Sequence, residues 1–292
     1  MTVALGTVDV HQHLLPSSFV EVLRARTGAP RIDGDELEIT EGRFPFIAAD
    51  NELAARIAIL DDQQTDLAVV SLQPNFGQDS LPERERDELV SAWEDGILEL
   101  AVSSSGDRFA ALGAGRARPG FVGCSVGSDA FFGGDGFEIA LTSVREHGGF
   151  VFVHPSGGAV PPGMPPWWGA LAIYTAQMQA AYLAWLSNWQ ERWADVSIVF
   201  AILAGGGPFQ AERLDSRGTD VRSILHPNVF FDTASYGRRA LELCVETYGV
   251  GQLVYGSDLP VIDPGPTLRA VKGFGESVET LIRTDNPARL MQ

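Results

Sequence analysis

The alternation of short apolar runs with longer helical patterns constrains the fold of this chain most. Eight runs rich in Val, Ile, Phe, Ala or Gly have the length of β-strands, and several are almost continuously apolar, as in parallel strands covered on both faces. They are Thr7–His13, Asp66–Gln73, Phe109–Gly115, Phe121–Ser128, Phe150–His154, Ser197–Ala204, Asn228–Thr233 and Gln252–Ser257. Helical stretches are predicted at Asn51–Gln64, Pro82–Val102, Phe137–His147, Trp168–Trp193, Phe209–Ser216, Arg238–Tyr248 and Leu268–Ile282. This pattern predicts an α/β fold, a (β/α)₈ TIM barrel in which residues 1–292 form a single domain.

Three segments depart from the repeat. Ser17–Ala48 is predicted to be an insertion after the first strand, and Pro155–Trp168 a long Pro/Gly loop after the fifth. Gly115–Gly120 is too short for a helix in the third unit. Because active sites of such barrels lie in the loops that follow the strands, we expect the insertion and the long loop at the functional rim.

Composition excludes some partners. The formal net charge of −17 argues against a nucleic acid or an anionic membrane surface. No run of about 18 apolar residues exists, and the N-terminus lacks the basic-then-apolar pattern of a secretory signal. Cys124 and Cys244 lie in apolar segments, which indicates buried free thiols in a reducing compartment. We therefore expect a cytoplasmic protein that acts on a small molecule.

Polar side chains that can bind a metal occur at the ends of three predicted strands. His11 and His13 alternate along the first strand, so both side chains point to one face. His154 ends the fifth strand and Asp258 follows the eighth. An isolated His-x-His also occurs on solvated strands, but strand ends of a barrel converge on one rim. Three imidazoles and a carboxylate meeting there suit one Zn²⁺ or a similar divalent ion.

The segments VDVHQHLLP, FVHPSG and VYGSDLP resemble the metal motifs of the amidohydrolase superfamily. They are most similar to the subgroup of aminocarboxymuconate-semialdehyde decarboxylase, the resorcylate-type decarboxylases and the amidohydrolase-related hydrolases. The resemblance extends to GCSVGSD, GGGPF and the closing DNPARL. It implies a (β/α)₈ barrel with one catalytic metal, held by His11, His13 and His154, and Asp258 as a further ligand or as the acid/base.

Two features of the sequence qualify this resemblance. The family commonly has a histidine before the glycines that follow the sixth strand, but Phe200–Gly207 contains none and has Ala204 before Gly205. His226, at the entry to a strand, and His147, at a helix end, are not expected to replace it. Lys272 is the only lysine and lies after Asp258, which excludes a dinuclear site bridged by a lysine on the fourth strand.

Other residues are candidates for contacts to the substrate. Gln73 and Asn75 end the second strand and can bond a polar group, and Arg116 is a candidate for the charge-stabilising role of the missing histidine or else a surface charge. An apolar pocket wall is predicted from aromatic residues on the rim loops, Phe76, Phe131, Phe132, Trp167 and Trp168. The tryptophan pair can instead anchor its own loop to the core.

Aromatic residues recur at helical spacing within Trp168–Trp193. The stripe consists of Tyr174, Met178, Tyr182, Trp185 and Trp189. Such a stripe is typical of core or of a subunit interface. Because an outer barrel helix already packs one face on the sheet, the surplus aromatics predict a homodimer.

Three functions remain open from the sequence. The first is hydrolysis of a C–N or C–O bond in a small, cyclic or aromatic substrate by water that the metal activates. The alternative is metal-dependent, non-oxidative decarboxylation of an aromatic or enoic acid. The third is a binding protein that lost catalysis together with the sixth-strand histidine. In the first two, Asp258 is the group that moves a proton.

Overall fold

Parallel strands form the centre of the computed structural model, which describes residues 6–101 and 106–292. In chain order the strands are β1 Val8–Gln12, β2 Arg31–Asp33, β3 Glu36–Ile39, β4 Gly42–Pro45, β5 Leu67–Val70, β6 Phe109–Ala111, β7 Gly113–Ala114, β8 Gly123–Gly127, β9 Phe150–His154, β10 Ser197–Phe200, β11 Val229–Asp232 and β12 Leu253–Val254. Within the described residues, β1 and β5 to β12 follow each other as parallel neighbours. Each predicted strand contains at least one of them.

The parallel sheet closes on itself. The third barrel strand is divided at Leu112, so that β6 pairs with β5 and β7 pairs with β8. The Leu112 amide still donates to the Val70 carbonyl at 2.9 Å, which keeps the two parts in one strand position. At the other edge, Val10 N–H donates to Tyr255 O and Asp258 N–H donates to His11 O, each at 2.8 Å. These bonds join the first and last strands and confirm the predicted barrel.

Helices cover the outside of the barrel. They include α1 Ser17–Ala25, α2 Leu53–Asp62, α3 Glu83–Ala101, α4 Gly136–His147 and α5 Tyr174–Ala184, followed by Ala211–Asp215, Arg238–Tyr248, Gly265–Lys272, Glu276–Thr280 and Asn286–Leu290. The helix predicted over Trp168–Trp193 has π-helical turns on both sides of α5. The one predicted over Leu268–Ile282 is interrupted before Gly275, whose φ of +97° ends a right-handed helix. Val102, the predicted end of α3, lies outside the described residues.

The aromatic stripe of α5 and the π-helical turn after it packs inside the chain. Met178, Tyr182 and Trp185 are fully buried. The Tyr182 ring lies 5.3 Å from the Phe200 ring and 5.5 Å from the Phe231 ring, both on barrel strands. The chain's own core therefore accounts for these buried aromatics, and a homodimer stays a prediction.

The insertion after β1 is a small layer of its own. It consists of α1 and an antiparallel sheet in the order β2-β3-β4, with Leu37 opposite Phe44. Its apolar side packs on the barrel, as shown by the 5.7 Å between the rings of Phe19 and Phe76. The two-residue turn between β3 and β4, Thr40 and Glu41, is the part of the insertion that reaches the rim loops.

The third unit lacks a helix, as predicted from Gly115–Gly120. A cavity of about 820 Å³ lies there, bordered by α3, α4 and the loops that follow β5 and β8. Arg116 and Arg118 line it, and Arg118 forms an ion pair there with the buried Glu94. None of the four predicted metal ligands borders this cavity. The structure therefore places Arg116 at this cavity and not among the residues that border the four predicted ligands.

Both cysteines are free and buried, as expected. Burial raises the pKa of the Cys124 thiol to about 12. Among the helices within the described ranges, none has both the length and the apolar character that a membrane crossing requires.

Close contact between β8 and β9 depends on Gly123. Its φ is +143°, and an added Cβ would overlap the carbonyl oxygen of Phe150 on the neighbouring strand. We expect Gly123→Ala to lower the free energy of unfolding by about 2 kcal/mol or more, because the strand must shift or strain. Urea unfolding measures this. Gly133→Ala is the control, since no atom lies within 4 Å of the added Cβ, and equal stability losses in both variants would contradict the prediction.

Candidate metal centre

Four side chains converge at the carboxyl ends of the barrel strands. His11 lies in β1, His13 follows it directly, His154 ends β9, and Asp258 follows β12. One potential ligand atom from each lies within 4.8 Å of the others. Asp258 Oδ1 is 3.2 Å from His13 Nε2 and 3.5 Å from His11 Nε2. The structure therefore brings together all four residues predicted to bind the metal.

The three imidazole rings are almost mutually perpendicular. Their planes meet at 84° for His11 and His13, 85° for His11 and His154, and 86° for His13 and His154. The ring centroids are 5.0 to 5.3 Å apart. Three rings arranged in this way direct one nitrogen each toward a common point, as the facial ligands of a cation do.

The Nδ1 atoms fix the tautomers of the three rings. His11 Nδ1 donates to Asp232 Oδ2 at 2.6 Å, His13 Nδ1 to Ser71 O at 3.1 Å, and His154 Nδ1 to Pro155 O at 2.9 Å. All three acceptors are oxygens without a proton to give, so each ring carries its hydrogen on Nδ1. In its neutral form each ring therefore presents the lone pair of Nε2, which is the form that coordinates a metal.

The residues fit a divalent cation because their lone pairs face each other. His11 Nε2 and His13 Nε2 are 3.1 Å apart, and both are acceptors in the tautomers set by Asp232 and Ser71. Two buried acceptors at this distance repel unless a proton or a cation lies between or beside them. A donor set of three imidazole nitrogens and one carboxylate oxygen is typical of Zn²⁺ and similar ions.

The electrostatics of the site favour positive charge at its centre. Burial alone would lower the pKa of His11, but the carboxylates of Asp232 and Asp258 outweigh it and raise that pKa to about 9. Burial lowers the pKa of His13 and of His154, which keeps both rings neutral. Burial would raise the pKa of Asp258, but the three histidines lower it below its ordinary value. Asp258 is therefore a carboxylate, as a ligand or a base must be.

Sequence reasoning missed Asp232, the residue that orients His11. It ends β11, is completely buried, and its Oδ1 accepts from the amides of Ile202 and Ala234, both at 2.9 Å. Asp232 ends the apolar strand Val229–Asp232, just as His154 ends its own apolar strand. The same sequence pattern that predicts a role for His154 could therefore have identified Asp232. It acts through His11 and is a positioning residue.

A second missed network lies beneath the ligands. Asp9 Oδ1 accepts from the amides of His11 and Ser257, at 3.1 and 3.0 Å. Arg56 on α2 donates to the His13 carbonyl at 2.6 Å and to the Gln12 side chain. These bonds fix the backbone of β1 on both sides of its two ligands, so the ligand geometry is set by buried groups.

The turn after β10 takes the place where the family's histidine is missing. Ile202, Leu203 and Ala204 have φ values of +47°, +51° and +53°, followed by Gly205 at +63°. A left-handed run with three non-glycine residues is strained, and it is held by the bond from Ile202 N–H to Asp232. Asp232 therefore links this turn to the ligand His11.

The remaining predicted residues lie in different environments. Gln73 is partly buried and Asn75 is buried at the end of the second barrel strand. Phe76 packs on Phe19, and Phe131 packs 3.9 Å from Phe137, so both have the contacts of core side chains. Among the aromatic residues predicted to form a pocket wall, Phe132 and Trp167 are exposed, with 63% and 55% of their surface accessible. The Trp167 ring is 6.2 Å from the Trp168 ring.

The two other histidines lie away from the cluster. His147 ends α4, and His226 precedes β11 at the amino end of the barrel strands. Their positions agree with the expectation that neither takes the role of the missing histidine.

We expect Asp232→Asn to raise the dissociation constant of the metal about 10- to 100-fold. The carboxylate uses both oxygens as acceptors, one for His11 Nδ1–H and one for two amides, whereas asparagine offers a single acceptor. One of these bonds must therefore be lost. Competition with a chelator measures the affinity, and an unchanged dissociation constant would contradict the role of Asp232.

Comparison with known proteins agrees with this architecture. A sequence model of the family described as Amidohydrolase matches residues 8–291, and the chain belongs to this family. No curated protein sequence matches the chain.

Solved structures share the fold at low sequence identity. A 5-carboxyvanillate decarboxylase from Sphingomonas paucimobilis has a TM-score of 0.72 at 17% identity, covering 99% of both chains. A 2,6-dihydroxybenzoate decarboxylase from Rhizobium has a TM-score of 0.72 at 16% identity, covering 98% of both chains. A 5-carboxyvanillate decarboxylase from Novosphingobium aromaticivorans, in complex with manganese, has a TM-score of 0.71 at 15% identity, covering 98% of this chain and 96% of that one.

Proposed function

We propose that this protein is a metal-dependent carboxy-lyase that releases CO₂ from a small aromatic or enoic acid. The observation that carries the proposal is the convergence of three imidazoles with one carboxylate, Asp258. With a divalent ion this donor set has one net positive charge, which the single carboxylate of a substrate neutralises. The similarity to structures of decarboxylases supports the same reaction class.

A divalent ion held by these residues supplies Lewis-acid chemistry, polarising a substrate oxygen or lowering the pKa of water. Asp258 takes a proton from a substrate hydroxyl or from water and later gives it to carbon. In that step the bond between the substrate carbon and its carboxyl group breaks, and the electron pair remains on the carbon. CO₂ leaves, and the proton from Asp258 completes the new C–H bond.

We propose Zn²⁺ as the ion because nitrogen donors dominate the site. One ion per chain agrees with the single four-residue cluster found among the described residues. Manganese, present in the similar structure from Novosphingobium aromaticivorans, is the competitor. Elemental analysis of protein purified without added metal distinguishes the two. A small-molecule substrate, a cytoplasmic location and a homodimer complete the proposal.

Hydrolysis of a C–N or C–O bond is the second candidate. Ala204 takes the place of the expected histidine, and the turn around it, residues 201–210, contains no basic side chain that stabilises charge developing on a substrate ring. A neutral substrate that is attacked by water depends less on a basic side chain to stabilise developing charge. The third possibility, a binding protein without catalysis, conflicts with a ligand set that is complete.

An assay of the zinc- or manganese-loaded protein against two substrate panels tests the proposal. The first panel contains hydroxybenzoates and enoic acids, with released CO₂ measured by mass spectrometry. The second contains lactones and cyclic amides, with ring opening measured by chromatography. Release of CO₂ from at least one acid supports the carboxy-lyase. Ring opening without any release of CO₂ establishes hydrolysis instead, and inactivity on both panels overturns both candidates.

A further inference from the structure

Three polar side chains from three separate elements meet beside the loop that follows the metal ligand His154. Asn75, after β5, donates from Nδ2 to the Tyr174 hydroxyl at 2.8 Å. Tyr174, at the start of α5, donates its hydroxyl hydrogen to the Glu41 carboxylate, with oxygen distances of 2.7 and 2.9 Å. Glu41 itself comes from the turn between β3 and β4. We call these three residues the Glu41 cluster.

The Glu41 cluster adjoins the loops that carry the metal ligands. The Glu41 carboxylate accepts from the Gly158 amide and packs against Gly157, just after the ligand His154. Burial raises the pKa of Tyr174, as does the charge of Glu41, and the carboxylate of Asp258 adds to the effect. The cluster is therefore within electrostatic range of the metal centre.

The rim around this cluster is poor in positive charge. Six of the eight segments that follow the barrel strands contain no lysine or arginine, namely residues 71–81, 128–135, 155–173, 201–210, 233–237 and 256–264. In the third segment, Arg116 and Arg118 line the cavity that none of the four predicted metal ligands borders.

The insertion, which follows β1, contains arginines with partners of their own. Arg26 pairs with Glu85, Arg31 with Glu38, and Arg43 with Glu36. Among the described residues, Glu41 forms no ion pair. Its charge is therefore compensated only by a hydroxyl and amide groups.

The cluster offers acceptors to whatever binds beside it. Because Asn75 Nδ2 is the donor to Tyr174, its Oδ1 faces the other way, and this atom is buried and has no hydrogen-bond partner within the described residues. Asn75 is 8% exposed, so an unpaired acceptor there is costly unless a ligand supplies a donor. The Glu41 carboxylate adds further acceptor sites and a negative charge.

We propose that Glu41, together with Asn75, selects substrates whose end remote from the metal carries a hydrogen-bond donor or a positive charge. A hydroxyl, amino or ammonium group satisfies the cluster, whereas a second carboxylate is repelled by Glu41, and the six rim segments named above offer it no lysine or arginine. The substrate class is thus an amino- or hydroxy-substituted monocarboxylic acid, and dicarboxylic acids are rejected. This inference rests on the proposed function in one respect, that the substrate carboxylate lies at the metal.

Binding to the zinc-loaded protein, measured by isothermal titration calorimetry, tests the selection without requiring turnover. The probes are 2-hydroxybenzoate, 4-amino-2-hydroxybenzoate and 2-hydroxyterephthalate, which share the metal-binding end and differ at the remote end. We expect 2-hydroxyterephthalate to bind at least about tenfold more weakly than 4-amino-2-hydroxybenzoate, because two carboxylates repel each other in a partly buried site. Equal dissociation constants for the three probes would overturn the proposal.

Glu41→Gln separates the charge from the structural role of the cluster. Its amide oxygen still accepts from Tyr174 and Gly158, so the loops stay joined while the charge is lost. We expect the dissociation constant of 2-hydroxyterephthalate, divided by that of 4-amino-2-hydroxybenzoate, to fall about tenfold. Glu36→Gln, the same change on an exposed strand residue of the same small sheet, is expected to leave the ratio unchanged. A Glu41→Gln variant that weakens all probes equally would show that the cluster only joins loops, and would overturn the proposal.

Tyr174→Phe provides an independent test if Glu41→Gln does not fold. It removes one donor from Glu41 and keeps the charge, so the diacid should be rejected at least as strongly as in the wild type. Loss of selection in this variant would contradict the role of the charge. Selective binding without any CO₂ release would refute the carboxy-lyase and leave this inference standing, whereas failure of every acid to bind would refute the inference too.

Discussion

His13→Ala is expected to reduce bound metal from about one divalent ion per chain to almost none, because one of three imidazole ligands is lost from a mononuclear site. The two remaining rings cannot compensate, since His11 and His154 are held by Asp232 and by the Pro155 carbonyl. Elemental analysis after dialysis measures the metal content. Activity of the dialysed variant is expected to disappear with the ion.

The matched control is His147→Ala. This histidine is exposed at the end of α4 and has no part in the cluster, so the variant should keep its metal. Equal loss in both variants would point to a nonspecific effect of removing histidine. Undiminished metal in His13→Ala would remove the site described here.

Asp258→Asn is expected to lower kcat about a thousandfold while the metal remains bound, though more weakly. Asp258 has a φ of +61°, in the left-handed region that asparagine also tolerates, so the backbone should not change. The amide keeps the size of the side chain but cannot take up and return a proton. Steady-state kinetics on the substrate found in the panels, together with metal analysis, separates lost chemistry from lost ligation.

Asp263→Asn, in the same loop, is the control for this substitution. Within residues 6–101 and 106–292, its Oδ1 accepts from the nearby Gly265 amide alone, a bond that the asparagine oxygen can also accept. Wild-type kcat is therefore expected for this variant. A kcat for Asp258→Asn within a few-fold of the wild type would mean that another group moves the proton.

The barrel and its four ligands were predictable because they leave local signals in the sequence. Parallel strands buried on both faces are apolar throughout, so a polar residue at a strand end, such as His154, stands out. The alternation of His11 and His13 follows from the pleat alone. Convergence of distant strand ends then follows from the barrel architecture.

Other parts of the site depend on contacts that no local pattern encodes. The bond between Asp232 and His11 joins β11 to β1, and its existence is set by the register of the closed barrel. The left-handed turn at Ile202–Gly206 contradicts the preferences of its first three residues. The position of Glu41 over the rim depends on how the small antiparallel sheet packs, which the pattern of Ser17–Ala48 does not specify.

The closure of the barrel has a consequence for the order of assembly. The bond from Asp258 N–H to His11 O lies where the two ends of the sheet meet, and the ligands are distributed on both sides of that junction. A bound ion would therefore cross-link the first strand to the last. During synthesis this cross-link cannot form until the last barrel strand and Asp258 have left the ribosome. Metal binding therefore belongs to the last stage of folding.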